Sequence, residues 1–257
     1  MSHSASGHPD VIVVGAGAAG ATAAFHLAHQ GRRVLLLDQG PFPRAKPCGG
    51  GMAASMQALF PFDLRPAVDA VIERVRFTWC LGDPVTAELP GDAPFWIVRR
   101  SVLDAYLVEQ ARAAGAPVRI GVTVQALRRS GDRWQLLCQG PGGAAQEFEA
   151  RAVVVADGSG SELAGRHSLG PARPRFADTV SVEVDCAVAE PSTARFEFGL
   201  VRHGFCWAFP RQGGYSIGVG TFIGRDPADA DAVLTQLLPS LGLPPDAGDR
   251  RSGQLRI

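Results

Sequence analysis

Gly15-Ala16-Gly17-Ala18-Ala19-Gly20, with an acid at Asp38 further along, brings together residue types that can bind a diphosphate and a ribose. Gly15 permits a tight turn, Gly17 lets backbone approach a pyrophosphate, and Gly20 allows a helix to pack closely on a sheet. Ala18 and Ala19 lie between these glycines among the candidate cofactor contacts, and the helix that follows points free N–H groups and a positive dipole end at the phosphates. Asp38, with Gln39 next in line, can accept hydrogen bonds from both hydroxyls of an adenosine ribose. A carboxylate there opposes a 2′-phosphate, which disfavours NADP in this particular site. The motif alone does not separate FAD from NAD.

A GxGxxG is weak evidence unless the right elements surround it. Here Val11 to Val14 is a short apolar, β-branched run, as in a buried parallel strand. Ala21 to Gln30 has high helix propensity and Gly31 ends it. Val34 to Leu37 supplies a second buried strand, with Asp38 at its end. The sequence therefore predicts an α/β, Rossmann-like domain with a mainly parallel sheet in three layers.

Where a second compact βα unit is expected, the chain carries instead a Pro- and Gly-rich stretch from Gln39 to Met52. Arg44 and Lys46 can face phosphate or the pyrimidine edge of a flavin, or can be solvated cations of a surface loop. From Asp10 to Met52 the chain resembles the geranylgeranyl reductase family of FAD-dependent oxidoreductases, which is related to the aromatic-ring hydroxylase flavoproteins. The specific match is Arg44-x-Lys46-Pro47-Cys48-Gly49-Gly50-Gly51. The resemblance implies FAD as cofactor, with Cys48, Gly49, Gly50 and Gly51 lining the isoalloxazine. On its residue type alone, Cys48 fits an ordinary small buried side chain equally well.

Arg99 to Ala114 reads as a helix, with Val102, Leu103, Tyr106, Leu107 and Ala111 at helical spacing and Gly115 and Pro117 as stops. Its start resembles the Arg-x-x-Leu-Asp helix of the same family, which assigns an FAD-holding arginine to Arg99 or Arg100, with Arg100 nearer the register. Val118 to Val124 reads as a strand, and Val124 joins the candidate cofactor contacts. Trp134 to Cys138 and Glu147 to Glu149 read as a hairpin pair around Gly140-Pro141-Gly142-Gly143. Ala152 to Val155 returns to a buried strand ending in Asp157-Gly158, where α/β sheets place ligand groups and where a simple turn also fits. In the family this Ala-Asp-Gly closes near the pyrophosphate and ribityl chain.

Val75 to Val98 and Arg175 to Phe222 alternate like antiparallel strands. They predict a second, substrate-side sheet built from two separated segments. The expected division is residues 1–74 and 99–165 for FAD binding, and 75–98 and 166–257 for the substrate domain. Phe205-Cys206-Trp207-Ala208-Phe209-Pro210 resembles the family's aromatic-x-Trp-x-Phe-Pro segment, which lines a lipid pocket. Phe205 stands where a tyrosine is usual. Alternating aromatics also fit a plain core strand.

Lys plus Arg and Asp plus Glu balance at 25 each, which argues against a protein that works by neutralising nucleic-acid phosphates. Five scattered cysteines without CxxC spacing provide no metal site, disulfide scaffold or iron–sulfur ligand set, and fit a reducing cytosol. The polar start from Met1 to Asp10 is no signal peptide. No apolar run is long enough for a membrane span, so a cytoplasmic protein with peripheral membrane contact is expected. The family carries a third, Gly-Asp-Ala-Ala-Gly segment that this chain lacks, so a C-terminally shortened form is expected. The resemblance implies reduction of isoprenoid carbon–carbon double bonds by hydride from reduced FAD, with NADPH or ferredoxin as electron donor. The substrate would be a prenyl lipid or prenylated pigment precursor. A flavin monooxygenase on the same fold and an inactive fragment remain as alternatives, and the catalytic residues and oligomeric state stay open.

Overall fold

The computed structural model describes residues 8–91, 94–171, 173–222 and 229–256. The N-terminal stretch discussed above lies outside the described residues up to residue 7, and so does Ile257. In chain order the first strands are β1 (Val11–Val14), β2 (Val34–Asp38), β3 (Gly51–Ala53), β4 (Val68–Ile72), β5 (Arg74–Trp79) and β6 (Gly82–Glu88). Next come β7 (Phe95–Val98), β8 (Val118–Ile120), β9 (Thr123–Ser130), β10 (Arg133–Gln139), β11 (Ala145–Ala150) and β12 (Ala152–Val155). The last are β13 (Phe176–Asp185), β14 (Thr193–Phe198), β15 (Gly204–Arg211), β16 (Gly214–Thr221) and β17 (Arg250–Arg256). The helices are α1 (Ala18–His29), α2 (Arg100–Ala113), α3 (Glu162–Arg166) and α4 (Ala230–Leu237). Two compact units divide the chain at Arg44/Ala45, Arg100/Ser101 and Ala172/Arg173. Residues 45–74, which the sequence suggested for the nucleotide-binding portion, cluster with the second unit, because β3 and β4 both pair with β7.

The first unit is built on a parallel sheet of order β12-β1-β2-β8. Val11 to Val14 pair with Ala152 to Val155 on one side and with Val34 to Leu37 on the other. Such a strand has no free edge, and with Ile12, Val13 and Val14 buried it has no solvated face either, which is why it reads as an unbroken apolar run. Ile12, Leu36 and Leu37 are wholly buried, and each such side chain contributes about 1.5–3 kcal/mol of transfer free energy. Ile12 and Leu37 share a cluster with Leu136, Ala150 and Leu163, which come from the antiparallel β11-β10-β9 sheet and from α3. The single strand expected over Val118 to Val124 is in fact two. Gly121, at φ +80°, turns the chain, so that β8 joins the parallel sheet and β9 the antiparallel one.

The second unit holds a seven-stranded sheet of order β17-β13-β16-β15-β14-β5-β6 and a three-stranded one of order β3-β7-β4. The larger sheet is antiparallel as expected, except that β14 and β5 run parallel. These two strands come from separate chain segments, so no hairpin constrains their relative direction. Alternation gives the large sheet two unlike faces. One buries Val182, Cys206, Ala208, Ile217 and Val219 against Leu234 and Leu237 of α4. The other carries Ala194, Trp207 and Phe209, packed with Ile72 and Ile97 of the small sheet.

Candidate functional site

In the first unit the C-terminal ends of β1, β2 and β12 bring the nucleotide candidates to one edge. Gly15 N donates to Leu37 O at 2.8 Å, and Ala156 N donates to Val14 O at 2.8 Å. Gly15 has φ +94°, and a β-carbon there would lie 2.4 Å from Ala156 O. At Gly20 a β-carbon would lie 1.7 Å from Gly15 O. Both glycines are therefore demanded by the turn and by the helix packing on it. The N-cap residue of α1 is Gly17, which supplies no side-chain cap, and the first turn contains no acid. First-turn N–H groups with neither a side-chain cap nor an acid in the same turn suit an anion. Ala18 is half-buried and Ala19 exposed at this start of the helix. Asp157 and Gly158 follow β12 at the same edge and are exposed, with Gly158 at φ +108°.

Asp38 closes β2 with only 4% of its surface exposed. Its Oδ2 accepts from Ala16 N at 2.6 Å, and its Oδ1 from Gly40 N at 2.8 Å. Arg44 adds a two-pronged pair, Nη1 to Oδ1 at 2.5 Å and Nη2 to Oδ2 at 2.8 Å. The Arg44 guanidinium also lies 4.5 Å from the Phe42 ring centroid. Burial pushes the Asp38 pKa up, but the hydrogen bonds from Arg44, Gly40 and Ala16 outweigh it and hold the carboxyl below its ordinary value. The sequence pointed to Asp38 and Arg44 separately, and the ion pair between them was not foreseen. Gln39 is exposed beside them, and Val124 packs at the margin of the apolar cluster.

The remaining candidates belong to the second unit. Here the glycine run has a packing reason of its own. A β-carbon at Gly49 would lie 3.0 Å from Trp207 Nε1, and one at Gly51 would lie 2.6 Å from the Phe95 ring. Gly50, at φ +83°, would meet Val98 O at 2.2 Å. Pro47 lies over Gly253 of β17 in the same way. Cys48 is half-buried, with Gly50 N donating to its Sγ at 3.4 Å, and Lys46 is exposed. At the start of α2, Arg99 is engaged by Asp69, with Nη2 to Oδ1 at 2.9 Å. Arg100 is the first residue of the helix.

Trp207, Phe209 and Pro210 are buried and Phe205 half-buried on β15. They belong to a continuous aromatic row. Phe196 lies 5.4 Å from Phe205 and 5.0 Å from Phe209 between ring centroids, and Phe77 lies 5.8 Å from Phe196. Phe77, Phe196 and Phe198 were not singled out from sequence, although period-two alternation in Phe196-x-Phe198 points at them. Trp207 Nε1 is buried without an acceptor among the described residues, a state that costs about 1–3 kcal/mol. The Phe205 ring offers this face no hydrogen-bonding group. On the opposite face a recess of about 370 Å³ is lined by Arg76, Thr78, Arg195 and Ser240 among others. Its arginines are paired with Glu190 and Glu197.

The buried thiols stay protonated at neutral pH. Burial pushes Cys138 up to about 11 and Cys206 up to about 12. Among the described residues no cluster of His, Cys, Asp and Glu is arranged to hold a metal, and no helix is long and apolar enough to cross a membrane.

Residues 10–68 match the DAO family, FAD dependent oxidoreductase. Over 221 residues the chain is 32% identical to digeranylgeranylglycerophospholipid reductase 2 of Methanothermobacter thermautotrophicus, covering 82% of this chain and 56% of that one. Over 234 residues it is 31% identical to menaquinone reductase of Mycobacterium tuberculosis, covering 86% of this chain and 57% of the relative. Among solved structures, a geranylgeranyl bacteriochlorophyll reductase-like protein from Thermoplasma acidophilum superposes with TM-score 0.84 at 21% identity. That match covers 97% of this chain and 66% of the other, and it speaks for the fold. The chain thus spans a little over half the length of the curated relatives it matches. With its parallel sheet, glycine turn and terminal acid, the chain is similar over residues 10–68 to the FAD-dependent oxidoreductases, and over most of its length it resembles the geranylgeranyl reductase group.

Proposed function

We propose that this chain forms the nucleotide-binding and substrate-sheet portion of an FAD-dependent reductase acting on carbon–carbon double bonds of a prenyl group. The carrying observation is the edge at which β1, β2 and β12 present Gly15 to Gly20, Asp38 and Asp157-Gly158 together. That donor set fits a dinucleotide. Backbone at Gly15 and Gly17 and the first turn of α1, with Ala18, Ala19 and Gly20, would hold the diphosphate. Asp38 and Gln39 would meet the adenosine ribose, and Arg44, Lys46 and Arg100 would offset phosphate charge. Val124, Asp157 and Gly158 would border the chain between the two halves of the cofactor, and Cys48 with Gly49 to Gly51 would border the flavin ring. When bound, FAD supplies the hydride-transfer chemistry.

An unactivated alkene offers no polar handle, so burial and fit must hold it. The row of Phe196, Phe205, Trp207 and Phe209 provides an apolar surface of that kind. The names of the two relatives support the substrate class, since digeranylgeranyl lipids and menaquinones both carry long prenyl chains. NADPH or ferredoxin would reduce the flavin, and a lipid substrate implies weak contact with a membrane surface.

The test has two stages. Purified chain freed of loose FAD is expected to retain visible flavin absorbance. Anaerobically reduced protein is then incubated with a geranylgeranyl lipid, and the product is expected to gain two mass units for each double bond reduced. Unchanged lipid, together with oxygen uptake stimulated by an aromatic substrate, would replace the reductase with the monooxygenase reading.

A further inference from the structure

The Asp38 carboxylate has no vacant position for a ribose. A carboxylate offers about four lone-pair sites, and here four N–H groups point at them: Ala16 N, Gly40 N, and Nη1 and Nη2 of Arg44. Each oxygen takes one backbone and one guanidinium donor. The two backbone donors are fixed by the chain itself, Ala16 in the β1–α1 turn and Gly40 only two residues beyond the end of β2 at Asp38. Arg44 can. Its side chain is 31% exposed, it lies in a stretch without regular secondary structure, and the Phe42 ring supports it from one side.

We infer that Arg44 competes with the ribose hydroxyls of a nucleoside diphosphate for Asp38, so that a nucleotide makes its ribose contacts only by releasing Arg44 from the carboxylate. This rests on the nucleotide-binding reading above and adds a residue that sets the strength of the ribose contact. The exchange keeps the number of hydrogen bonds on the carboxylate and breaks the ion pair. The carboxylate gives up two charge-assisted bonds to the guanidinium and gains two from hydroxyls, while the freed cation meets solvent or the ligand's own phosphates. Ribose hydroxyls therefore add little net affinity while Arg44 is present, and add much once it is absent.

The experiment compares ADP with 2′,3′-dideoxy-ADP by calorimetry on the full chain and on Arg44→Ala. Both ligands carry the same phosphates, so the ratio of their dissociation constants isolates the hydroxyl contribution from the lost positive charge. For the parent chain the ratio is expected to stay within about threefold, and for Arg44→Ala to rise about tenfold or more, the scale of a hydrogen bond to a charged group. Phe42→Ala, which keeps the cation but removes its support, is expected to raise the ratio by a smaller amount and guards against a folding defect in Arg44→Ala. Equal ratios in all three proteins, or a larger ratio in the parent, would overturn the competition while leaving nucleotide binding intact. Folded protein that binds neither ligand in any variant would refute the nucleotide reading and the competition with it.

Discussion

The indole of Trp207 on β15 covers the backbone of Gly218 on β16. The two residues are direct cross-strand partners, and a β-carbon at Gly218 would lie 2.2 Å from Cζ2 and 2.6 Å from Cη2 of the ring. The strand thus provides a recess that only glycine supplies, and the largest side chain of the row fills it. Gly218→Ala is expected to cost about 1–3 kcal/mol through overpacking and to shift the fluorescence of Trp207. Gly160→Ala, at a site with nothing within 4 Å of the added carbon, is the control and should change stability by less than about 0.5 kcal/mol. Urea denaturation of both variants checks this, and equal midpoints would show that the ring does not rest on Gly218.

Glu197 is 1% exposed and accepts from Thr78 Oγ1, from Leu81 N at 2.9 Å and from Arg195 Nη2 at 3.0 Å. Leu81 and its neighbour Cys80 have φ of +65° and +49°, conformations unfavourable for residues with a β-carbon. The buried carboxylate holds this β5–β6 turn from beneath. Glu197→Ala leaves the half-buried Arg195 guanidinium without its carboxylate and frees the turn, so a loss of about 2–4 kcal/mol is expected. Thermal unfolding measures it, and a loss under about 1 kcal/mol would mean that the turn holds itself.

Stability should also carry an acid limb from Asp38. The hydrogen bonds from Arg44, Gly40 and Ala16 hold its pKa in the folded chain below that of an ordinary aspartate, so its contribution is complete above the ordinary carboxylate range. The contribution is lost as pH falls through the folded value. The urea midpoint of the parent chain should therefore fall as pH drops from about 5 to about 3, and Asp38→Asn should flatten that slope while lowering stability at neutral pH. Matching slopes in the two proteins would mean that the pair with Arg44 does not favour the ionised carboxylate.

Local features were legible wherever the chain's own periodicity decides structure. The apolar runs Val11 to Val14 and Val34 to Leu37, the glycine turn between them, the helix from Arg100 and the β10–β11 hairpin all follow from propensity and spacing within one short window. Asp38 as the terminal acid of β2 was legible for the same reason. Gly121 was the exception among these, because a glycine inside an apolar run does not reveal on its own whether the chain turns there.

What only the tertiary structure decided lies between residues distant along the chain or across strands. That Ala152 to Val155 pairs with β1, and that β14 lies parallel to β5, depends on which edges remain open once the nearer strands have paired. The reasons for Gly49, Gly51 and Gly218 are the rings of Trp207, Phe209 and Phe95, and no spacing rule shows which ring will lie over which glycine. The sequence marked Arg44 and Asp38 as two binding groups for a ligand. Folding joins them to each other, because a buried carboxylate takes the cation within reach, and the five residues between them are enough for a turn but do not disclose it.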